Sequence, residues 1–306
     1  MPDDQVPADH PDPAAGQSQT TPAVCYRHPD RPTGLRCSRC GRPICGECSN
    51  PAPVGQLCPD DARSSRVRVR GLPGQGRPVA TLTLLGLNTV MLLVSALLSG
   101  SGFGLLDPAP RALCRLGALN AAAIAESGQW WRLLTVMVLH GGLLHWAFNS
   151  WALWAFGPTL ENLLGWVRFL ALYVGAGFAG AAASFAFNHT ELGVGASGAI
   201  FGLLGALVAY FFRRRQAGGG VPLQNLLLVL LLNLFIASRN PQIDNLAHIG
   251  GFLAGLVTMV LLEVIPARNR WLGTAALAAP FAAGVVLTVV GVASYPVGSG
   301  LTCVGA

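Results

Sequence analysis

The chain has 306 residues, of which 52% are hydrophobic and 11% are charged, whereas roughly a quarter of the residues in an average soluble protein are charged. This composition excludes an ordinary soluble enzyme and indicates an integral membrane protein. All 20 basic residues are arginines, and the net charge is +6. The distribution of the arginines along the chain matters more than the net charge, because arginines orient membrane spans. We therefore expect no nucleic-acid partner.

The first 24 residues are rich in Pro, Asp and Gln. They contain no apolar stretch of the kind found in a cleavable signal peptide. Their low hydrophobicity predicts a disordered tail.

Residues 25–61 carry metal-ligand residue types in four pairs, each with two residues between its members. Four such pairs in a polar segment indicate two tetrahedral zinc sites. Because so short a segment buries little apolar surface, we expect two structural zinc ions to supply its folding free energy. A disulfide-bonded module is the alternative, which the histidine and the expected cytoplasmic location disfavour. The pairs are Cys25 and His28, Cys37 and Cys40, Cys45 and Cys48, and Cys58 and Asp61.

This segment resembles B-box and related cross-brace zinc fingers. The resemblance implies that the first and third pairs bind one ion and that the second and fourth pairs bind the other. Asp61 stands where such fingers usually have Cys or His, and the neighbouring Asp60 is an alternative ligand. A module of this kind could also bind a protein partner.

Residues 62–78 form an arginine-rich linker, and seven apolar stretches follow it. Each is about long enough to cross a hydrocarbon core near 30 Å thick. They predict an all-α polytopic membrane protein in contact with the lipid bilayer. The predicted spans are 79–99, 131–156, 167–187, 196–212, 222–238, 245–265 and 271–292.

The arginines in the linker and loops predict the orientation of these spans. A cytoplasmic N-terminus places 11 of them inside and 4 outside, in agreement with the positive-inside rule. Seven spans then place the C-terminus outside, on the same face as Cys114. Cys303 near the C-terminus could form a disulfide with Cys114 if their Cα atoms lie within roughly 7 Å. Exclusive arginine usage is typical of a GC-rich genome, so we expect a bacterial plasma membrane.

Several polar side chains lie inside the predicted spans, where they are costly and therefore mark candidate functional sites. His145 and Asn149 in the second span are four residues apart and share a helical face. His140 lies nearer the outer end of the same span. Ser197 opens the fourth span, and His248 lies in the sixth.

Glycines follow both Ser197 and His248 in the sequence. Gly198 and Gly202 follow Ser197, and Gly251 and Gly255 follow the histidine at position 248. Glycine faces let two helices approach closely. The approach could bring the serine hydroxyl within hydrogen-bond reach of the imidazole, which could then activate it as a nucleophile.

These segments resemble the rhomboid family of intramembrane serine proteases. The resemblance covers about residues 79–265, so it implies a six-helix core to which the zinc-binding module and the seventh span are additions. Glu161 also fits the family pattern. Four motifs occur in the family's order: Trp131-Arg132, His145-x3-Asn149, Gly195-x-Ser197-Gly198 and Ala247-His248-x2-Gly251.

The resemblance implies a catalytic dyad without a cofactor, in which Ser197 is the nucleophile and His248 is the general base. It also implies that a developing oxyanion is stabilised by His145, by Asn149 and by the backbone N–H of Ser197. The expected substrates are single-span membrane proteins cut near the outer face, where the peptide bond can unwind from its helix.

The same resemblance assigns the surroundings of the dyad. Gly195 would leave room for the substrate backbone, and the ring of Phe201 would pack against the base histidine. Asp244 lies one turn before that histidine. We expect it to be a solvated residue at the outer end of the span and not a third member of the dyad.

Two other functions are alternatives. One is a catalytically inactive rhomboid-like protein that binds transmembrane clients and uses the zinc-binding module to bind a partner. The presence of both Ser197 and His248 favours the enzyme. The other is a transporter or channel, which no intramembrane acidic pair or inverted repeat supports.

Overall fold

The computed structural model describes residues 23–51, 55–64, 77–100, 102–188, 192–213, 226–231, 239, 243–265, 269–296, 298 and 303. The chain divides into two compact units, residues 1–71 and 72–306. The division falls inside the predicted arginine-rich linker. Almost all of the predicted N-terminal tail, most of the linker and most of the fifth predicted span lie outside the described residues.

The N-terminal unit consists of two antiparallel strand pairs and short helical turns. Ile44 is the one aliphatic side chain in its buried cluster, and the other members are five cysteines. So small an apolar core supplies little folding free energy. The elements are β1 (Val24–Cys25), β2 (His28–Pro32), a 3-10 helix (Gly46–Cys48), β3 (Asn50–Pro51), β4 (Gln56–Leu57) and α1 (Pro59–Ser64).

In the second unit the described residues form helices joined by loops, with one isolated β-bridge between Leu119 and Gly193. Four of its helices are long and apolar enough to cross a membrane within the described part of the chain. The prediction of an all-α polytopic membrane protein is therefore confirmed. The helices are α2 (Val79–Leu98), α3 (Pro110–Leu116), α4 (Ala121–Ala125), α5 (Arg132–Thr135), α6 (Leu143–Leu164), α7 (Trp166–Phe187), α8 (Ser197–Arg213), α9 (226–231), α10 (Asn245–Val264) and α11 (Arg270–Ser294).

The second predicted span, 131–156, is wrong at both ends because α6 covers Leu143–Leu164. Leu139 has an extended backbone and Gly142 has a φ of +120°. These conformations break the helix where the loop between α2 and α6 packs against it, since the Leu143 N–H donates to the Leu105 carbonyl at 3.0 Å. The other predicted spans with described helices agree within two residues, apart from the partly described fifth.

Helix α7 lies at the centre of the unit, with 78% of its apolar segment buried against 28% for α2 and α10. The outward side chains of the other helices are large and apolar, as lipid contact requires. Helix α11 packs on α7, where Gly284 and Gly291 face the rings of Phe178 and Phe185. The absent side chains of these glycines allow the close contact.

Glu161, near the C-terminal end of α6, is buried against the start of α2. Its carboxylate accepts hydrogen bonds from the N–H groups of Ala80 and Thr81 and from the Thr81 hydroxyl, each at 2.8 Å. The first N–H groups of a helix lack partners within the helix. The buried carboxylate supplies those partners and joins the two helices.

The loop between α2 and α6 is bonded to the C-terminal segment. Cys114 in α3 forms a disulfide with Cys303, with a Cα separation of 5.3 Å. The Glu126 carboxylate accepts a hydrogen bond from the Gly298 N–H at 3.0 Å. Arg132 is buried beneath the loop and donates to the Cys114 carbonyl at 3.0 Å. The disulfide considered from the sequence is therefore present.

Candidate active site and metal clusters

Ser197 is the first residue of α8, and His248 lies in the first turn of α10. The two meet although 51 positions separate them in the sequence, with 2.8 Å between Ser197 Oγ and His248 Nε2. This is the distance of a normal hydrogen bond. The structure thus brings together the two residues that the sequence predicts to be nucleophile and base.

The ring of Phe201 lies flat against the imidazole of His248. The ring centroids are 4.2 Å apart and the planes differ by 8°. Phe201 follows Ser197 by one turn of α8 and therefore projects from the same face. The stacking limits rotation of the imidazole plane.

The two helices meet through paired glycines. A Cβ built on Gly251 would lie 2.8 Å from the carbonyl carbon of Gly198, and one built on Gly255 would lie 2.6 Å from that of Gly202. Carbon atoms in contact normally lie about 3.5–4.0 Å apart. Only glycine fits at these crossings, and the short helix separation that results lets the serine and the imidazole meet.

Gly195 lies between Ser197 Oγ and the imidazole of His145. A Cβ built on Gly195 would lie 2.8 Å from His145 Nε2 and 3.5 Å from Ser197 Oγ. The φ of +132° at Gly195 also favours glycine over other residues. The missing side chain leaves a gap between the hydroxyl and the imidazole of His145.

Asn149 lies one turn beyond His145 on α6 and is buried. Its Nδ2 donates to the His145 carbonyl at 2.9 Å. The ring of His140 contacts the ring of His145 edge to face, with 5.4 Å between centroids. His140, which precedes α6, therefore forms one polar group with His145 and Asn149 of that helix.

The segment before Ser197 is held by backbone pairing that the sequence did not predict. Gly193 and Leu119 exchange two backbone hydrogen bonds, at 2.9 and 3.0 Å, and the Gly195 N–H donates to the Val136 carbonyl at 3.0 Å. The loop between α2 and α6 therefore holds the segment that precedes α8. No residue type in that loop signals such pairing, because it involves only main-chain atoms.

The expectation for Asp244 holds in its position at the end of the span but not in its full solvation. It is half-buried at the N-terminus of α10, where one carboxylate oxygen accepts from the Ala247 N–H at 3.0 Å. The other oxygen accepts a hydrogen bond from the Ser184 hydroxyl. Ser184 is a polar residue inside a predicted span, so the rule that marked the other polar residues could also have found it.

The N-terminal unit contains two clusters of metal-ligand side chains. In each, the four ligand atoms lie within 4.8 Å of one another. The first and third predicted pairs share one cluster and the second and fourth share the other, as a cross-brace requires. The clusters are Cys25, His28, Cys45 and Cys48, and Cys37, Cys40, Cys58 and Asp61.

The separations within the clusters fit a tetrahedral ion. The sulfurs of Cys45 and Cys48 are each 3.4 Å from His28 Nδ1, and those of Cys40 and Cys58 are 3.7 Å apart. Tetrahedral zinc bonds of ~2.3 Å to sulfur and ~2.1 Å to nitrogen separate S from N by about 3.6 Å and S from S by about 3.8 Å. Both clusters could therefore hold a metal ion.

The structure distinguishes the two neighbouring aspartates. Asp60 accepts from the Tyr26 hydroxyl at 2.8 Å and from Arg27 at 2.9 Å, whereas an oxygen of Asp61 lies 3.2 Å from the sulfurs of Cys37 and Cys58. Thiol hydrogen bonds lower the pKa of Asp61 to about 2. Asp61 therefore belongs to the cluster as a carboxylate.

Taken together, the fold and the site define a polytopic helical membrane protein with a serine and a histidine in contact at the ends of two helices. Residues 127–264 match the family model described as "Rhomboid domain". This range contains the serine, both histidines nearest to it and the glycine pairs.

Similar proteins occur in bacteria and plants. The chain is 37% identical over 187 residues to "Rhomboid protease GluP" of Bacillus subtilis (strain 168). The matched region is 61% of this chain and 35% of GluP. The chain is 35% identical over 136 residues to YdcA of the same organism, described as a candidate rhomboid protease. This matched region is 44% of this chain and 68% of YdcA. The chain is 38% identical over 164 residues to "RHOMBOID-like protein 7" of Arabidopsis thaliana, which covers 53% of this chain and 52% of that protein.

The chain therefore belongs to the rhomboid family, and the resemblance inferred from its motifs is confirmed at that level. It spans about a third of the length of GluP and about half of the plant protein.

Proposed function

We propose that the protein is an intramembrane serine endopeptidase that cleaves transmembrane substrates near the outer membrane face. The observation that carries the proposal is the 2.8 Å separation of Ser197 Oγ and His248 Nε2. A general base acts directly when its heavy atom lies about 2.6–3.2 Å from the atom that carries the proton. Family membership supports the same class of activity.

In the proposed reaction Ser197 Oγ attacks the scissile carbonyl carbon while His248 Nε2 takes the hydroxyl proton. The tetrahedral intermediate collapses with cleavage of the C–N bond, and His248 returns the proton to the leaving amine. Water, deprotonated by the same imidazole, then hydrolyses the acyl-enzyme and regenerates the serine. His248 Nδ1 has no hydrogen-bond partner among the described residues, which is consistent with a dyad.

The gap beside Gly195 supports the proposed oxyanion site. It lies between the nucleophile and His145 Nε2, where the carbonyl oxygen of a bound peptide would stand. The Ser197 N–H belongs to the first turn of α8, whose N–H groups lack partners within the helix and attract negative charge. Asn149 would join these donors if its amide turned from the His145 carbonyl.

Access and orientation support cleavage near the outer face. Ser197 and His145 are half-buried and Gly141 beside them is exposed, so water and a substrate strand can reach the serine. The disulfide between Cys114 and Cys303 indicates an oxidising compartment for the outer loop and the C-terminal segment. We therefore propose a cytoplasmic N-terminus and an extracytoplasmic C-terminus in a bacterial plasma membrane.

For the N-terminal unit we propose that each cluster binds one structural zinc ion. The ion would supply the cross-link that the small apolar core lacks. A protein partner for this module rests on its resemblance to B-box fingers.

The test uses separate samples of the purified full-length protein, one for labelling with a serine-reactive fluorophosphonate and one for cleavage of a single-span substrate. We expect the label on Ser197 and cleavage by wild type, with neither in Ser197→Ala. Thr258→Val is the matched control, because it removes a buried hydroxyl from α10 away from the dyad. Equal cleavage by wild type and Ser197→Ala would refute the proposal. A folded wild type that neither labels nor cleaves would favour the inactive rhomboid-like alternative.

A further inference from the structure

The first turn of α10, which carries His248, is attached to α7 by a polar contact. Asp244 is the N-cap residue, and its Oδ1 accepts from the Ala247 N–H at 3.0 Å. Its Oδ2 accepts from the hydroxyl of Ser184 on α7. Its backbone carbonyl accepts from the His248 N–H at 3.2 Å. A single residue thus joins the base histidine, the helix start and the neighbouring helix.

The helix on the other side of this contact is the best-anchored element of the unit. Helix α7 is the most buried of the four long apolar helices, and Ser184 is 2% exposed. Gly180, one turn before Ser184, lets α10 approach closely, since a Cβ there would lie 3.2 Å from the Gly251 N atom. Asp244 is therefore fixed against a rigid part of the protein.

The position of the His248 imidazole depends mainly on the backbone of the first turn of α10. In many serine hydrolases a carboxylate holds the second ring nitrogen of the base, but Nδ1 of His248 has no partner among the described residues. Phe201 stacks on the ring and limits its tilt, but stacking does not stop sliding of the ring in its own plane. One residue of a helix corresponds to about 1.5 Å of rise and 100° of rotation. A small shift of the first turn would therefore move Nε2 away from the serine.

We propose that Asp244 and Ser184 are positioning residues that hold His248 in line with Ser197. Asp244 acts through the helix start and not by contact with the imidazole. The proposal rests on the proposed protease function, because it concerns the geometry of that dyad. It adds two residues that the family motifs quoted above do not contain.

The test compares Ser184→Ala, Asp244→Ala, Asp244→Asn and the double variant Ser184→Ala/Asp244→Ala in the full-length protein. Misplacement of a catalytic group by about 1 Å can reduce the rate about 100-fold, so we expect kcat and the rate of fluorophosphonate labelling to fall between ~10-fold and ~100-fold in Asp244→Ala. KM should stay within about twofold, because neither residue contacts the substrate in the proposed geometry. Asp244→Asn retains an acceptor for the Ala247 N–H and should recover part of the lost rate.

The double variant tests whether the two residues act as one unit. Its rate should equal that of Asp244→Ala, because the contact is already lost in the single variant. Thr258→Val, which removes a buried hydroxyl from α10 below the site, should label at the wild-type rate. Thermal unfolding of each variant measures the folded fraction, and rates are expressed per folded molecule.

Wild-type kcat and labelling rates in Ser184→Ala and Asp244→Ala would overturn the inference, as would a change confined to KM. Loss of rate that disappears after correction for the folded fraction would also overturn it, because the contact would then be purely structural. A folded wild type that fails to label Ser197 would instead refute the proposed function itself.

Discussion

The contact between Gly255 and Gly202 lies two turns below the dyad, yet we expect it to control the dyad distance. A Cβ on Gly255 would lie 2.6 Å from the carbonyl carbon of Gly202 and 2.7 Å from its Cα. Because carbon atoms in contact need about 3.5 Å, Gly255→Ala forces α8 and α10 apart by about 1 Å. Overpacking of this kind should lower the free energy of unfolding by roughly 1–3 kcal/mol.

A separation of that size removes the hydrogen bond at the helix ends. Ser197 Oγ and His248 Nε2 are 2.8 Å apart, so an increase of about 1 Å takes them beyond the roughly 3.2 Å reach of direct proton transfer. We expect kcat for a single-span substrate in liposomes to fall about 100-fold in Gly255→Ala. Labelling of the serine by a fluorophosphonate should fall in parallel.

The matched control is Gly273→Ala on α11, where an added Cβ meets no atom within 4 Å. Alanine is favoured over glycine inside a helix by up to about 1 kcal/mol, so this variant should be fully active and no less stable. Wild-type kcat and an unchanged melting temperature in Gly255→Ala would show that the glycine contact does not set the dyad distance.

Two further predictions concern parts of the protein outside the dyad. Removal of one ligand should empty the second cluster only, so metal analysis should find about two zinc ions in wild type and about one in Asp61→Ala. Asp60→Ala should retain both ions, because Asp60 binds Tyr26 and Arg27. Zinc loss from Asp60→Ala alone would reverse the assignment. In intact cells, a membrane-impermeant thiol reagent should label Cys114 and Cys303 after reduction and neither cysteine before it. The reason is that the two form a disulfide, which we place on the oxidising side of the membrane. Labelling only after permeabilisation would contradict the proposed orientation.

The residues of the candidate site could be predicted from the sequence because polar groups are costly in a membrane. Ser197, His145 and His248 stand out in apolar stretches for this reason alone. Their order along the chain also predicted the rhomboid family, which the family match and the relatives confirm. The spacing identified four pairs of candidate metal ligands, and the resemblance to B-box fingers implied which pairs share a cluster, as the structure groups them.

Helix bounds were predictable only where apolar length determined them. The start of α6 was missed because Leu139 and Gly142 adopt backbone conformations that packing of the loop between α2 and α6 selects. Hydropathy measures whether a residue tolerates lipid, and it carries no information about a break of that kind.

By itself, the sequence determined that this is a multi-pass helical protein of the rhomboid family and which side chains are available for chemistry. Tertiary structure decided that Ser197 and His248 meet at 2.8 Å, that Asp61 and not Asp60 joins the cluster of candidate metal ligands, and that Asp244 binds Ser184. Composition and spacing report local preferences. Contacts between residues distant in the chain depend on how closely two backbones can approach, and that approach is set by the packing of whole helices.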